Sequence, residues 1–163
     1  MRVRQHLQGS KTDPSRQSSV PGIVLPVPPA PLGAYVESSD VGYLLFLSGM
    51  LPVVNRTLVV TGRLGVTLSV DDGREAARIA ALNALATAKQ HVARSRSVDD
   101  ARQADGLDGD DRAVRRAAPW RTAADLFVKI FGPDAGHVRL VYEVQSLPVG
   151  APLVVDAIFE IAP

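Results

Sequence analysis

Arg139 interrupts an apolar run, HVRLVYEV, between Val138 and Leu140. A planar guanidinium in such a place can donate two parallel, charge-assisted hydrogen bonds to a carboxylate. The same residue also reads as an ion-pair arginine at a surface or interface. Ser48 and Gly49 close a second apolar run, YLLFLSG. A hydroxyl and a backbone N–H at a strand end can fix a carboxylate or a water without acid–base power of their own; the bland alternative is a strand-to-turn transition. Tyr35 offers a phenol that can close a pocket and position water, or that simply packs. Other chemistries find little here. His6, His91 and His137 are scattered without metal-ligand spacing. The absence of cysteine removes thiolate nucleophiles, disulfides and Cys-ligated zinc. No phosphate-cradling glycine loop or nucleophile elbow is present.

These residues need elements to hold them. Ala34–Ser38, Tyr43–Ser48 and Leu58–Thr61 read as strands of an antiparallel meander. The continuous apolar run at Tyr43–Ser48 suits burial on both faces. Asn55-Arg56 fits a turn before the third strand. Ser69 with Asp72 three residues on reads as a capping box, and Asp71 and Asp72 complement the positive end of the helix dipole. The helix that follows carries Ala76, Ala77, Ile79, Ala80, Leu82, Ala84, Leu85 and Ala88 on one face and ends near Val92–Ser95. Its alanine content allows close approach to a sheet. Ala123–Gly132 is a second amphipathic helix with Gly132 as its stop. His137–Val144 and Leu153–Ile161 are two further strands, joined by SLPVGAP. Strands, helix, helix, strands predict an α+β domain with the helices on one face of a sheet.

Composition sets the outer bounds. At 163 residues the chain reads as one domain over 21–163, large enough to bury its own core, behind a flexible leader over 1–20. The leader starts basic but lacks the apolar stretch of a signal peptide. The proline-rich stretch VPGIVLPVPPAPLGAYV reads as an extended covering arm rather than a ligand for a partner domain. A net charge of +1 gives no global pull toward nucleic acid or an anionic membrane. No apolar run approaches a spanning length, and the lack of cysteine suits a reducing cytoplasm.

Three blocks resemble the RidA/YjgF family of reactive-imine deaminases: PLGAYVESSDVGYLLFLSGMLP, GRLGVTLSVDDGREAARIAALNALATAK, and HVRLVYEVQSLPVGAPLVVDAIFEI. In the last, Arg139 stands nine residues before Pro148 of a Leu-Pro pair, as in the family pattern. The resemblance covers residues 22–92 and 122–162. It implies a chorismate-mutase-like α+β fold, with a mixed sheet and two helices packed on one face. It also implies a homotrimer with sites in the clefts between subunits and no cofactor. The implied reaction is hydrolysis of 2-imino acids, such as 2-iminobutanoate and 2-iminopropanoate, to 2-oxo acids and ammonia. In it Arg139 anchors the substrate carboxylate, Ser48 and Gly49 bind substrate, and Tyr35 positions water. One departure stands out. Where family deaminases carry a glutamate on the last strand, this chain has Val154, which can neither accept a proton nor hold a water. Asp156 lies on the same strand face about 6.6 Å further along and matches a second acidic position. The alternative implied is a non-catalytic member that binds small 2-oxo acids or partner proteins.

Residues 93–121 break the pattern. They contain seven arginines and six aspartates, with Val98, Leu107, Val114 and Trp120 as the large apolar residues. The family has an apolar strand here, whose four or so buried side chains would each contribute roughly 1.5–3 kcal/mol. Reading Gly106–Ala118 with GC-rich codons shifted by one base yields a strand-like apolar string. The segment is therefore expected to be a frame-shifted or disordered charged stretch, its interspersed aspartates arguing against a nucleic-acid-binding element.

Overall fold

The structure, a computed structural model, describes residues 22–93, 97–109, 119–134 and 136–162; the expected leader lies outside them. Gly42 adopts φ 63° and, with Tyr43, turns the chain so that β1 (Ser38–Val41) pairs antiparallel with β2 (Leu44–Leu47). That tight register sets β1 four residues later than the Ala34–Ser38 expected. Tyr35 is left ahead of the strand, in irregular chain. β2 is not buried on both faces: Leu45 and Leu47 turn inward, whereas Leu44 and Phe46 are partly exposed on the other side. The predicted third strand shrinks to a hairpin of β3 (Val53–Val54) and β4 (Thr57–Leu58), outside the main sheet. Asn55 and Arg56 form its turn at φ 51° and 66°, the doubly left-handed geometry that two-residue hairpin loops favour.

α1 (Val70–Val92) begins as its sequence requires. The Asp72 N–H donates to Ser69 Oγ (3.1 Å), and the Ser69 N–H donates to Asp72 Oδ2 (2.8 Å). Bonds from Ser69 hold the Asp72 carboxyl below its usual range. The alanine face (Ala76, Ala77, Ala80, Ala84, Ala88) is fully buried. Having no side chain beyond Cβ, these residues let the helix axis lie close to the sheet. The proline-rich arm covers the core from outside, with Leu25 packed against it. α2 (Arg121–Phe131) stops at Gly132, at φ 101°. It delivers Phe127 edge-on to Phe159, with ring centroids 5.6 Å apart. Both helices pack on the same face of the sheet, as expected.

With β5 at Val98–Gly109, β6 at Val141–Val144 and β7 at Leu153–Ile161, the main sheet runs β1-β2-β7-β5-β6. β7 is antiparallel to both neighbours, while β6 pairs parallel with β5. The last two strands, though joined by SLPVGAP, therefore do not pair with each other, because β5 stands between them. β5 is the finding of most consequence. Val98–Gly109, within the segment expected to be charged and structureless, forms a 12-residue strand near the middle of the sheet. Small Ala101 and Ala104 face the helices. Two register shifts against β7, between Val98 and Asp100 and between Ala101 and Gln103, let the polar residues avoid the core. Arg102 pairs with Asp100 (3.3 Å) and with Glu160. Residues 94–96 and 110–118 of the odd segment lie outside the described residues.

Asp105 stands opposite Asp156 across the β5–β7 pair. Asp105 is buried and accepts hydrogen bonds from the Leu140 N–H (2.7 Å) and Gln103 Nε2 (2.6 Å). Burial first, and then the charge of Asp105, push the Asp156 carboxyl above its ordinary range. A carboxyl whose folded pKa is raised supports folding while protonated and loses that contribution as pH rises through the folded pKa. Asp156→Asn is therefore expected to be more stable than the parent at neutral pH. The gap should close as pH falls below the ordinary aspartate range, which urea unfolding at several pH values would measure.

Candidate functional site

One cleft gathers most of the residues picked out by type and spacing. It is an open cleft between the arm, the end of β2 and the β3–β4 hairpin. Pro29, Leu32, Tyr35, Glu37, Ser48, Gly49 and Arg56 line it. Tyr35 is half-exposed, and its phenol oxygen accepts the Leu32 N–H at 3.1 Å. That bond pins the ring to the arm. The Ser48 N–H donates to the Glu37 carbonyl at 2.9 Å, so that amide is committed to the backbone and the hydroxyl is the group Ser48 can offer a ligand.

The floor is held from below. Met50 and Val155 exchange both backbone hydrogen bonds, at 2.7 and 3.0 Å, which anchors the chain leaving β2 onto β7. Asn83, buried on α1, donates through Nδ2 to the carbonyls of Leu51 (2.9 Å) and Val53 (3.0 Å). A buried amide spent on two loop carbonyls keeps a non-repetitive segment in one conformation. A β-carbon at Gly49 would lie 2.7 Å from Val154 Cγ1. Val154 thus sits directly against the glycine that lines the cleft. Its isopropyl group fills that position with hydrocarbon.

Arg139 is not in this cleft. It is exposed, just before β6, at the far edge of the sheet from β1 and β2. Three strand spacings separate β2 from β6, or roughly 14 Å. There its charge faces His137: burial first, then Arg139, press the imidazole below its usual range. One chain accordingly brings Tyr35, Ser48 and Gly49 together and leaves Arg139 apart. The structure also adds two residues that sequence reasoning passed over. Glu37, in the bend just ahead of β1, lines the cleft beside Tyr35. Arg56, read only as part of a turn, occupies a left-handed conformation unusual for its type and lines the cleft from the hairpin. Among the described residues no group of acidic residues and histidines could hold a metal ion.

The Gly49–Val154 contact makes a testable coupling. Gly49→Ala should destabilise the fold by about 1–3 kcal/mol through overpacking. Adding Val154→Ala should restore a large part of that loss, read as a non-additive double-mutant cycle in urea unfolding.

The family described as "YjgF/chorismate_mutase-like, putative endoribonuclease" matches residues 15–161 of this chain. Protein TCP17 of Trypanosoma cruzi is 32% identical over 145 residues, spanning 86% of this chain and 89% of that protein. Among solved structures, a "putative endoribonuclease" from Shewanella oneidensis superposes with a TM-score of 0.78 at 29% identity, covering 91% of this chain and 99% of that one. Protein Atu1372 of Agrobacterium tumefaciens, of unknown function, superposes with a TM-score of 0.77 at 27% identity, covering 91% and 92%. With a matched profile over nearly its whole length and two helices laid on one face of a mixed sheet, this chain belongs to the RidA/YjgF family, with the chorismate-mutase-like fold.

Proposed function

We propose that this protein hydrolyses 2-imino acids to 2-oxo acids and ammonia, and that it does so as a homotrimer. The observation that carries the reading is the division of the site. A single chain holds a phenol, a hydroxyl and a close-approach glycine in one cleft, with the guanidinium at the opposite edge of its sheet. Neighbouring subunits packed through their sheets would let Arg139 of one complete the cleft of another. The sheet face away from the helices favours such packing. It carries Val41, Leu44, Phe46, Val138, Leu140 and Tyr142, each between 39% and 70% exposed, an apolar surface that calls for a partner.

In the completed cleft Arg139 would bind the substrate carboxylate through its fork of N–H groups. Ser48 and Tyr35 would hold water and substrate against the strand end, close to Gly49. No cofactor is called for, since a protonated imine carbon is electrophilic enough for water to attack. A net charge of +1, with aspartates scattered among the arginines in sequence, gives little overall pull toward a polyanion. A small anionic substrate therefore suits it better than RNA. Among the described residues no helix is long and apolar enough to cross a membrane, and the cysteine-free sequence suits the cytoplasm. A second reading, a binding protein for 2-oxo acids without turnover, is favoured by Val154, which puts hydrocarbon where family deaminases carry a carboxylate.

Ammonia release from a 2-imino acid generated in situ separates the two. The parent protein is expected to accelerate release. Arg139→Ala is expected to lose roughly tenfold or more in kcat/KM, mostly through KM, since a charge-assisted hydrogen bond contributes about 1.5–3 kcal/mol. Size-exclusion chromatography should place the protein at three times its 17.3 kDa chain mass. A parent protein that binds a 2-oxo acid yet releases no ammonia above the solvent rate would select the second reading.

A further inference from the structure

We propose that Glu37 is the proton-transfer group of this cleft, taking up the work that Val154 does not do. The inference rests on the imine-hydrolysis reading and names the group that reading leaves open. Glu37 supplies the one carboxylate among the described residues that line the cleft. Its main chain is held beside the cleft, where the Ser48 N–H donates to the Glu37 carbonyl at 2.9 Å. Tyr35, Ser48 and Glu37 line the same cleft.

The other candidate positions are worse placed. Val154, packed against Gly49, carries no proton-accepting group. Asp156 shares its face with Asp105, which is tied to the Leu140 N–H and Gln103. Glu37 is half-buried, and burial raises its carboxyl above the usual range, toward a value at which a proton can be both taken and returned. The other ionisable groups lining the cleft are the Tyr35 phenol and the Arg56 guanidinium on the hairpin turn. Arg56 places a guanidinium on the rim opposite the arm.

The step balances without an added reagent. Glu37, as carboxylate, takes a proton from water while the water oxygen bonds to the carbon of the protonated imine and the C=N π pair moves onto nitrogen. The protonated Glu37 then returns that proton to the amine nitrogen. The C–N bond breaks with its pair on ammonia, the hydroxyl oxygen forms the C=O bond, and the hydroxyl proton leaves as ammonium.

Glu37→Gln keeps shape and hydrogen bonding while removing the base, and Glu37→Asp keeps the base on a shorter stem. Each would be purified and compared with the parent for ammonia release from a 2-imino acid generated in situ, and for binding of the matching 2-oxo acid. Glu37→Gln should lose roughly 10²–10⁴-fold in kcat with 2-oxo acid affinity within about threefold of the parent. In the parent, kcat/KM should fall as pH drops through the raised pKa of Glu37, because the acid form cannot accept a proton. That limb should vanish from the residual activity of Glu37→Gln and persist in a partly active Glu37→Asp. An active parent with an equally active Glu37→Gln overturns the role of Glu37 and leaves the deaminase reading standing. A parent that releases no ammonia above the solvent rate overturns both.

Discussion

β7 is the constraint on which the rest depends. It is flanked by β2 on one side and β5 on the other, both antiparallel, and its inward side chains, Val155, Ala157, Phe159 and Ile161, are almost fully buried under the helices. Phe159 receives Phe127 and Phe131 of α2. At the other end of the strand, Val155 holds Met50 by paired hydrogen bonds and Val154 abuts Gly49. One strand thus links the packing of the helices to the floor of the cleft. Small displacements there are not absorbed by a soft loop, because Asn83 fastens the same loop to α1 from underneath.

Against that rigid floor the upper wall is of a different kind. The arm carrying Pro29, Leu32 and Tyr35 has no ladder partner and is held by proline's fixed backbone, by Leu25 in the core and by a few local bonds such as that from Leu32 to the Tyr35 phenol. The cleft therefore lies between a strand-backed floor and a stiff but weakly fastened cover. Its charged groups come from the two least regular neighbours, Glu37 ahead of β1 and Arg56 in a strained turn. This suits binding residues positioned by a rigid scaffold.

Much of this was legible from the residues. The capping box at Ser69 and Asp72, the alanine face of α1 and the glycine stop at Gly132 are local signals, each with its own physical cause, and all three stand. Tyr35, Ser48 and Gly49 were found through strand ends and family spacing, and they share a cleft. What failed is non-local. Nothing in YLLFLS says that its alternate residues face an open surface, and nothing in two consecutive strands says that a third stands between them. The charged sequence of β5 hides a strand because its pairing comes from the backbone on both sides, its inward positions need only alanine, and two register shifts redirect the rest. Glu37 and Arg56 escaped notice because a half-buried carboxyl and a turn arginine gain meaning only when the cleft between them is known.

The order of the strands in space also governs how the chain can reach this state. β7 follows every other described element in sequence and yet fills the interior of the sheet. Until it arrives, β2 and β5 each present a raw edge, with a gap one strand wide between them. The β1–β2 hairpin and the β5–α2–β6 unit can form early from near neighbours. Their union requires the closure of long loops, the slow kind of contact. A nascent chain halted before Leu153 would expose two unsatisfied edges and the underside of α1 at once, the condition that recruits chaperones or seeds aggregation.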